Sequence, residues 1–252
     1  MPTRDYGSKG CVGVAPPQAN PTVEPEIAAC LPPGVSMLTT RLTSQCPDPK
    51  DRMLEYFNRL DDTLQSYDTL KLDVLAFACT AASYLVGHER EEREIAAIAK
   101  KRGYPIITGG KAIIAGLNKL GVKKIAVGAP YPQWTLDACK AYYEAAGFTI
   151  TSILQIETAS STDTRSIYEL TSADAIAALP RMDVAGAECV LFTGSGMPSL
   201  RAVIAAEERT GLPALCTNLC LAWSVLGVLG HQQWATGPHR LLNGWQDRLK
   251  LL

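Results

Sequence analysis

Two strand-and-turn segments occur twice in this chain. Cys11-Val-Gly-Val-Ala-Pro-Pro17 returns as Ile125-Ala-Val-Gly-Ala-Pro-Tyr131, and Asp73-Val-Leu-Ala-Phe-Ala-Cys79 returns as Cys189-Val-Leu-Phe-Thr-Gly194, each about 115 residues later. One spacing shared by two separate strand pairs points to a duplicated unit. Short apolar runs rich in Val and Ile are expected as strands at Cys11–Ala15, Val35–Leu42, Val74–Cys79, Lys124–Gly128, Thr149–Gln155, Cys189–Thr193 and Ala214–Cys216. Helical patterns lie between them. Those at Glu89–Arg102, Thr135–Ala146 and Leu200–Thr210 are followed by glycine, a usual C-terminal stop. Strands alternating with helices at this spacing give parallel sheets flanked by helices. In such sheets ligands bind beyond the carboxyl ends of the strands. The four turns after the repeated strands, 16–20, 79–83, 130–133 and 194–199, are therefore expected to converge on one cleft.

The rest of the sequence removes competing classes. The chain has 252 residues, 47% hydrophobic and 19% charged, enough for one or two cores. No apolar run is long enough to span a membrane, and Met1–Asn20 lack the apolar stretch of a secretory signal. A net charge of −1 gives no electrostatic reason to expect nucleic acid or anionic lipid as a partner. Eight cysteines in a long, core-rich chain read as reduced thiols of a cytoplasmic protein. Cys216 and Cys220 have no histidine nearer than His231, so no metal site is expected. There is no GxSxG elbow, Gly109-Gly-Lys111 is not a P-loop, and no GxGxxG follows the first strand. Cofactor-free chemistry on a small acid remains.

Within the four turns, several side chains can do such chemistry. Cys79 ends a strand and precedes a helix start, where backbone N–H groups and the helix dipole favour a thiolate; it also reads as a buried core cysteine. Gly194-Ser195-Gly196 forms either an anion-binding nest or an empty tight turn. Tyr131, between two prolines, either donates to an oxyanion or covers the core. Asn20 can donate and accept, and Asn before Pro is also an ordinary turn signal. Arg41 suits a substrate carboxylate, or lies solvated at the surface.

In order and spacing, Val14-Ala-Pro-Pro-Gln-Ala-Asn-Pro-Thr-Val-Glu-Pro-Glu26, Ala78-Cys-Thr-Ala81, Gly121-Val-Lys-Lys-Ile-Ala-Val-Gly-Ala-Pro-Tyr131 and Gly211-Leu-Pro-Ala-Leu-Cys-Thr-Asn218 resemble the aspartate/glutamate racemase superfamily. The likeness is greatest to its branch of arylmalonate decarboxylases and maleate cis–trans isomerases. It implies an α/β fold of two pseudo-symmetric Rossmann-like lobes, an active site between them, and no cofactor. Lobe 1 is expected over 11–120, with about 213–252 packing back onto it, and lobe 2 over 121–212. Residues 1–10 read as a flexible extension.

Racemases of this superfamily use two facing cysteines. Here Cys79 holds the first position and Gly194 the second, with Ser195 beside it. Glycine cannot carry a proton, and a serine hydroxyl is a poor unaided base, which puts two-base racemisation of an amino or hydroxy acid in doubt. A decarboxylase needs only one acid. By the resemblance, Pro17, Thr80, Ala81, Tyr131, Gly194, Ser195 and Gly196 hold the substrate, with Thr80, Tyr131 and Ser195 on the carboxylate that stays. Arylmalonate decarboxylases carry their working cysteine in the second lobe, so protonation from Cys79 is expected on the opposite face. The alternative is a maleate-type isomerase using Cys79 as covalent nucleophile, which Asn20 and Arg41 suit. A binding or regulatory relic is the non-enzymatic reading. The expected partner is a small carboxylic or dicarboxylic acid. Polar Thr39, Thr40, Arg41 and Thr43 favour a small or polar acid over a bulky arylmalonate. The sequence leaves open whether the chain forms a homo-oligomer.

Overall fold

Strands whose residues are apolar without alternation must be covered on both faces. The computed structural model, which describes residues 5–160, 162–232 and 239–251, meets this demand with two parallel four-stranded sheets. The first contains β1 (Gly10–Ala15), β2 (Val35–Thr39), β3 (Val74–Phe77) and β4 (Ile106–Thr108) in the order β2-β1-β3-β4. The second contains β5 (Lys124–Ala129), β6 (Thr149–Gln155), β7 (Cys189–Phe192) and β8 (Ala214–Cys216) in the matching order β6-β5-β7-β8. The repeated segments are thus β1 with β5 and β3 with β7. Val12 pairs with Val74 in the first sheet, and Ile125 with Cys189 in the second.

Eleven α-helices occur among the described residues: α1 Val23–Cys30, α2 Pro49–Asn58, α3 Leu60–Thr63, α4 Thr80–Val86, α5 His88–Arg102, α6 Gly109–Leu120, α7 Gln133–Ala145, α8 Ser172–Ala178, α9 Leu200–Thr210, α10 Thr217–Val228 and α11 Trp245–Leu249. Their ends follow local chemistry. Asp48 caps α2 by accepting from Asp51 N, with Pro49 in the first turn. Gly103, Gly121 and Gly211 close α5, α6 and α9 in the left-handed conformation. Helix α10 lies against α6 and α1, and α11 against α1. The C-terminal segment therefore contacts elements of the first half of the chain.

Most expected elements stand within a few residues of their expected bounds. The second strand stops at Thr39 rather than Leu42, and β3 stops at Phe77, which leaves Cys79 in the turn. The strand β4, three residues long like β8, was not expected. Gly109-Gly-Lys111 opens α6, with Thr108 accepting from Lys111 N. Of the expected extension, residues 1–4 lie outside the described residues. Gly10 already belongs to β1, and Lys9 N donates to Gly34 O at 2.9 Å.

The duplicated sheets are not packed identically. A Cβ on Gly13 would come within 2.5 Å of Leu72 Cδ1 and 2.8 Å of Leu75 Cδ1, whereas one on Gly128 would meet Phe192 and Met182 at 3.3–3.4 Å. Gly13→Ala should cost ~1–3 kcal/mol, the usual range for an overpacked core, and Gly128→Ala distinctly less. Urea unfolding of the two variants measures the difference.

Candidate active site

The four turns after β1, β3, β5 and β7 meet at one cavity between the sheets, with about 310 Å³ of empty space including its mouth. Pro17 and Asn20 come from the first turn, Cys79, Thr80 and Ala81 from the second, Tyr131 from the third, and Gly194, Ser195 and Gly196 from the fourth. Cys79 and Gly194, equivalent in the repeat, both line it.

Each group is fixed by its neighbours. Asn20 Oδ1 accepts from Thr22 N at 2.9 Å and Val23 N at 3.2 Å, which leaves Nδ2 facing Ser195 Oγ at 3.4 Å. Thr80 Oγ1 and the Tyr131 hydroxyl are 2.6 Å apart. Ser195 is 5% exposed, and its hydroxyl donates across the cleft to Ala78 O at 2.7 Å. Its proton is therefore committed to the backbone beside Cys79. What the turn offers a ligand is backbone. Gly194 N donates to Thr217 Oγ1 at 3.2 Å, so the nest consists of the Ser195 and Gly196 N–H groups, which find no acceptor among the described residues.

Cys79 is 3% exposed and its sulfur lies 3.8 Å from Met53 Sδ. Burial pushes its thiol up to about 12, against the smaller opposing pull of the Ala82 N–H. Burial thus opposes the thiolate that the strand end and helix start were expected to favour. Burial also raises the Tyr131 hydroxyl well above its ordinary range, so it acts as a donor.

Arg41 is not among the residues lining the cavity. Its Nη1 donates to Asn20 O at 2.7 Å and Pro17 O at 3.5 Å, and Nη2 pairs with Glu24. It braces the first turn from outside. The polar residues Thr39, Thr40 and Thr43 do not line the cavity either. The remaining wall was not anticipated. Met53 projects from α2, and Thr164, Ile167 and Tyr168 come from a 3-10 turn (Thr164–Glu169) in the long connection after β6. The Tyr168 ring lies on Gly196, where an added Cβ would come within 2.6 Å of it. Arg52, 2% exposed, joins the two walls through Asp163 Oδ1 at 2.7 Å. The length of the 156–171 connection was the available signal, since long segments in compact domains often cover sites.

Paired parallel sheets in one strand order, with Cys79 and the 194–196 turn meeting beyond the carboxyl ends of their central strands, define a two-lobed α/β fold. Residues 12–242 match the arylmalonate decarboxylase family, and the chain belongs to that family, a branch of the aspartate/glutamate racemase superfamily. It is 27% identical over 247 residues to the maleate isomerase of Geobacillus stearothermophilus, covering 92% of this chain and 97% of that one. It is 28% identical over 245 residues to that of Nocardia farcinica, covering 92% and 94%. In fold it is similar to the maleate isomerase of Pseudomonas putida S16 (TM-score 0.83, 22% identity, 94% and 99% covered). It is also similar to arylmalonate decarboxylase (TM-score 0.74, 18% identity, 94% and 99% covered). The chain is thus an enzyme of a lyase-or-isomerase family. No helix among the described residues is long and apolar enough to cross a membrane.

A thiol held near 12 stays protonated at neutral pH and reacts slowly with electrophiles. In a Cys46→Ser background, which removes the one partly exposed cysteine, iodoacetamide should label Cys79 far more slowly than a free thiol at pH 8. The rate should rise about tenfold per pH unit up to the thiol's pKa. Mass spectrometry of the Cys79 peptide follows it.

Proposed function

We propose that this enzyme decarboxylates a small substituted malonate-type acid and that Cys79 alone protonates the enediolate formed. The observation that carries the reading is a buried Cys79 thiol sharing its cavity with Gly194, a residue that cannot carry a proton. The bond from the α-carbon to one carboxylate breaks, CO₂ leaves, and the electron pair spreads into the carboxylate that stays. That group lies at the Thr80–Tyr131 hydroxyl pair, in which one hydroxyl donates to the other and the second keeps its proton for the substrate, and at the Ser195 and Gly196 N–H groups, donors placed where charge grows. The Sγ–H proton of Cys79 moves to the α-carbon, and solvent then reprotonates the sulfur. No base is needed for carbanion formation, and an organic electron sink is unnecessary when the remaining carboxylate takes the charge. Met53, Ile167 and Tyr168 supply the wall for a small apolar side group, which replaces the polar wall expected from residues 39–43.

Maleate isomerisation is the second reading, favoured by relatives at 27% and 28% identity. A serine-for-cysteine variant of the Nocardia farcinica enzyme carries a covalently bound succinylcysteine. The sulfur in that adduct belongs to another cysteine, a role Cys79 would take here. Addition to an alkene needs a thiolate, however, and burial works against one at Cys79.

Substituted malonates, maleate, and amino and hydroxy acids incubated in D₂O and followed by NMR separate the reactions. Carbon loss from a malonate with one deuteron gained is expected. The chiral product should have the hand opposite to that given by a second-lobe donor. Cys79→Ala should reduce turnover ~10²–10⁴-fold, the range for one lost proton donor. Conversion of maleate to fumarate with malonates untouched would establish the second reading instead, and a racemic product would exclude a one-sided donor.

A further inference from the structure

The fourth turn binds a carboxylate only if its peptides are turned the right way, and nothing in Gly194-Ser195-Gly196 itself fixes that. In a trans peptide the carbonyl and the N–H point in opposite directions. Anchoring Ser195 O therefore aims Gly196 N–H, and anchoring Gly194 O aims Ser195 N–H. Met197 N donates to Gly194 O at 3.1 Å, a bond within the turn. The anchor on Ser195 O comes from outside: Asn218 Nδ2, at the start of α10, donates to it at 3.1 Å.

Asn218 is oriented in turn by Glu26. Its Nδ2 also donates to Glu26 Oε2 at 2.8 Å, while Glu26 Oε1 accepts from Ser199 N at 2.6 Å and Leu200 N at 2.9 Å. Asn218 Oδ1 has no hydrogen-bond partner. The amide therefore has one workable orientation, because turning it over would set an oxygen against two acceptors. Both side chains are buried, and neither lines the cavity. Burial raises the Glu26 carboxyl, and the Leu200, Asn218 and Ser199 donors pull the other way.

We infer that Glu26 is a positioning residue of this site: through Asn218 it turns the Ser195–Gly196 peptide so that the Gly196 N–H faces the substrate carboxylate. The inference rests on the reading of this turn as the carboxylate nest, whichever reaction follows. It also predicts a sign. A buried negative charge near an anion site repels the anion, so a role through charge alone means that neutralising Glu26 tightens binding. Positioning means that it weakens binding. In Glu26→Gln the introduced oxygen still accepts from Ser199 and Leu200. The introduced NH₂ meets Asn218 Nδ2, forces the Asn218 amide over, and sets its oxygen against Ser195 O.

The test uses propionate, which has one carboxylate and neither decarboxylates nor isomerises, titrated against the Gly196 amide resonance of the ¹⁵N-glycine-labelled full chain. The unmodified protein should show a saturable shift. Glu26→Gln should bind propionate at least ten-fold more weakly. The same is expected of Asn218→Ser, which leaves Glu26 its two backbone donors. The double variant Glu26→Gln with Asn218→Asp restores an amide–carboxylate bond and the parental net charge but leaves Ser195 O without its donor. It should not regain affinity, because the introduced carboxylate still opposes Ser195 O. Tighter binding in Glu26→Gln, or recovery of affinity in the double variant, would overturn the positioning role alone. No propionate-dependent shift in the unmodified protein would overturn the nest and the inference with it.

Discussion

The Ser195 hydroxyl reaches across the cleft to the carbonyl of Ala78, the residue before Cys79. This 2.7 Å bond ties the turn after β7 to the turn after β3, the two equivalents of the repeat. It is buried, and so are its companions: Thr22 Oγ1 donates to Gly196 O at 2.8 Å, and Asn20 Nδ2 faces Ser195 Oγ at 3.4 Å. A buried polar group left without a partner costs ~1–3 kcal/mol, so prising the turns apart without admitting water or substrate is unfavourable. The spacing between the thiol and the N–H nest is therefore set by bonds between the two halves of the chain.

The same closure decides the state of the sulfur. Strand end and helix start favour a thiolate locally, but the cleft removes water from all sides. Where the two effects oppose each other, desolvation wins at Cys79. The Thr80 and Tyr131 hydroxyls face the same low-polarity space, where an O–H donor acts more strongly on developing charge than it would in water.

How far the chain could be read in advance follows from this division. The repeat exposed the sheets, the carboxyl ends of their central strands and the residues of the four turns, because strand periodicity and turn chemistry are local. Cys79, Thr80, Tyr131 and the 194–196 turn were legible on that basis. Met53, Thr164, Ile167 and Tyr168 were not, since they reach the cavity from α2 and the 156–171 connection, outside the repeated strand turns. Arg41 misled for a related reason. A cation near the first turn reads as a ligand for an acid, but the carbonyls of Pro17 and Asn20 and the carboxylate of Glu24 already occupy it. The Ser195 hydroxyl looked free for substrate, yet its acceptor lies 117 positions earlier in the chain. Contacts of that range leave no trace in local pattern.

The asymmetry between the lobes goes deeper than the identity of two side chains. Cys79 sits at φ −133°, ψ 85°, a conformation open to any L-residue, whereas Gly194 sits at φ +119°, where a side chain is strained. A Cβ there would also lie 3.2 Å from Pro130 Cδ and 3.5 Å from the Tyr131 hydroxyl. Thr217 holds the Gly194 N–H, so relieving that strain by rotating the peptide breaks a buried bond. A side chain at the second position is therefore strained in the present turn and crowds Pro130. In this chain the backbone itself disfavours a side chain opposite the Cys79 thiol, which is the asymmetry that the proposed one-sided proton delivery requires.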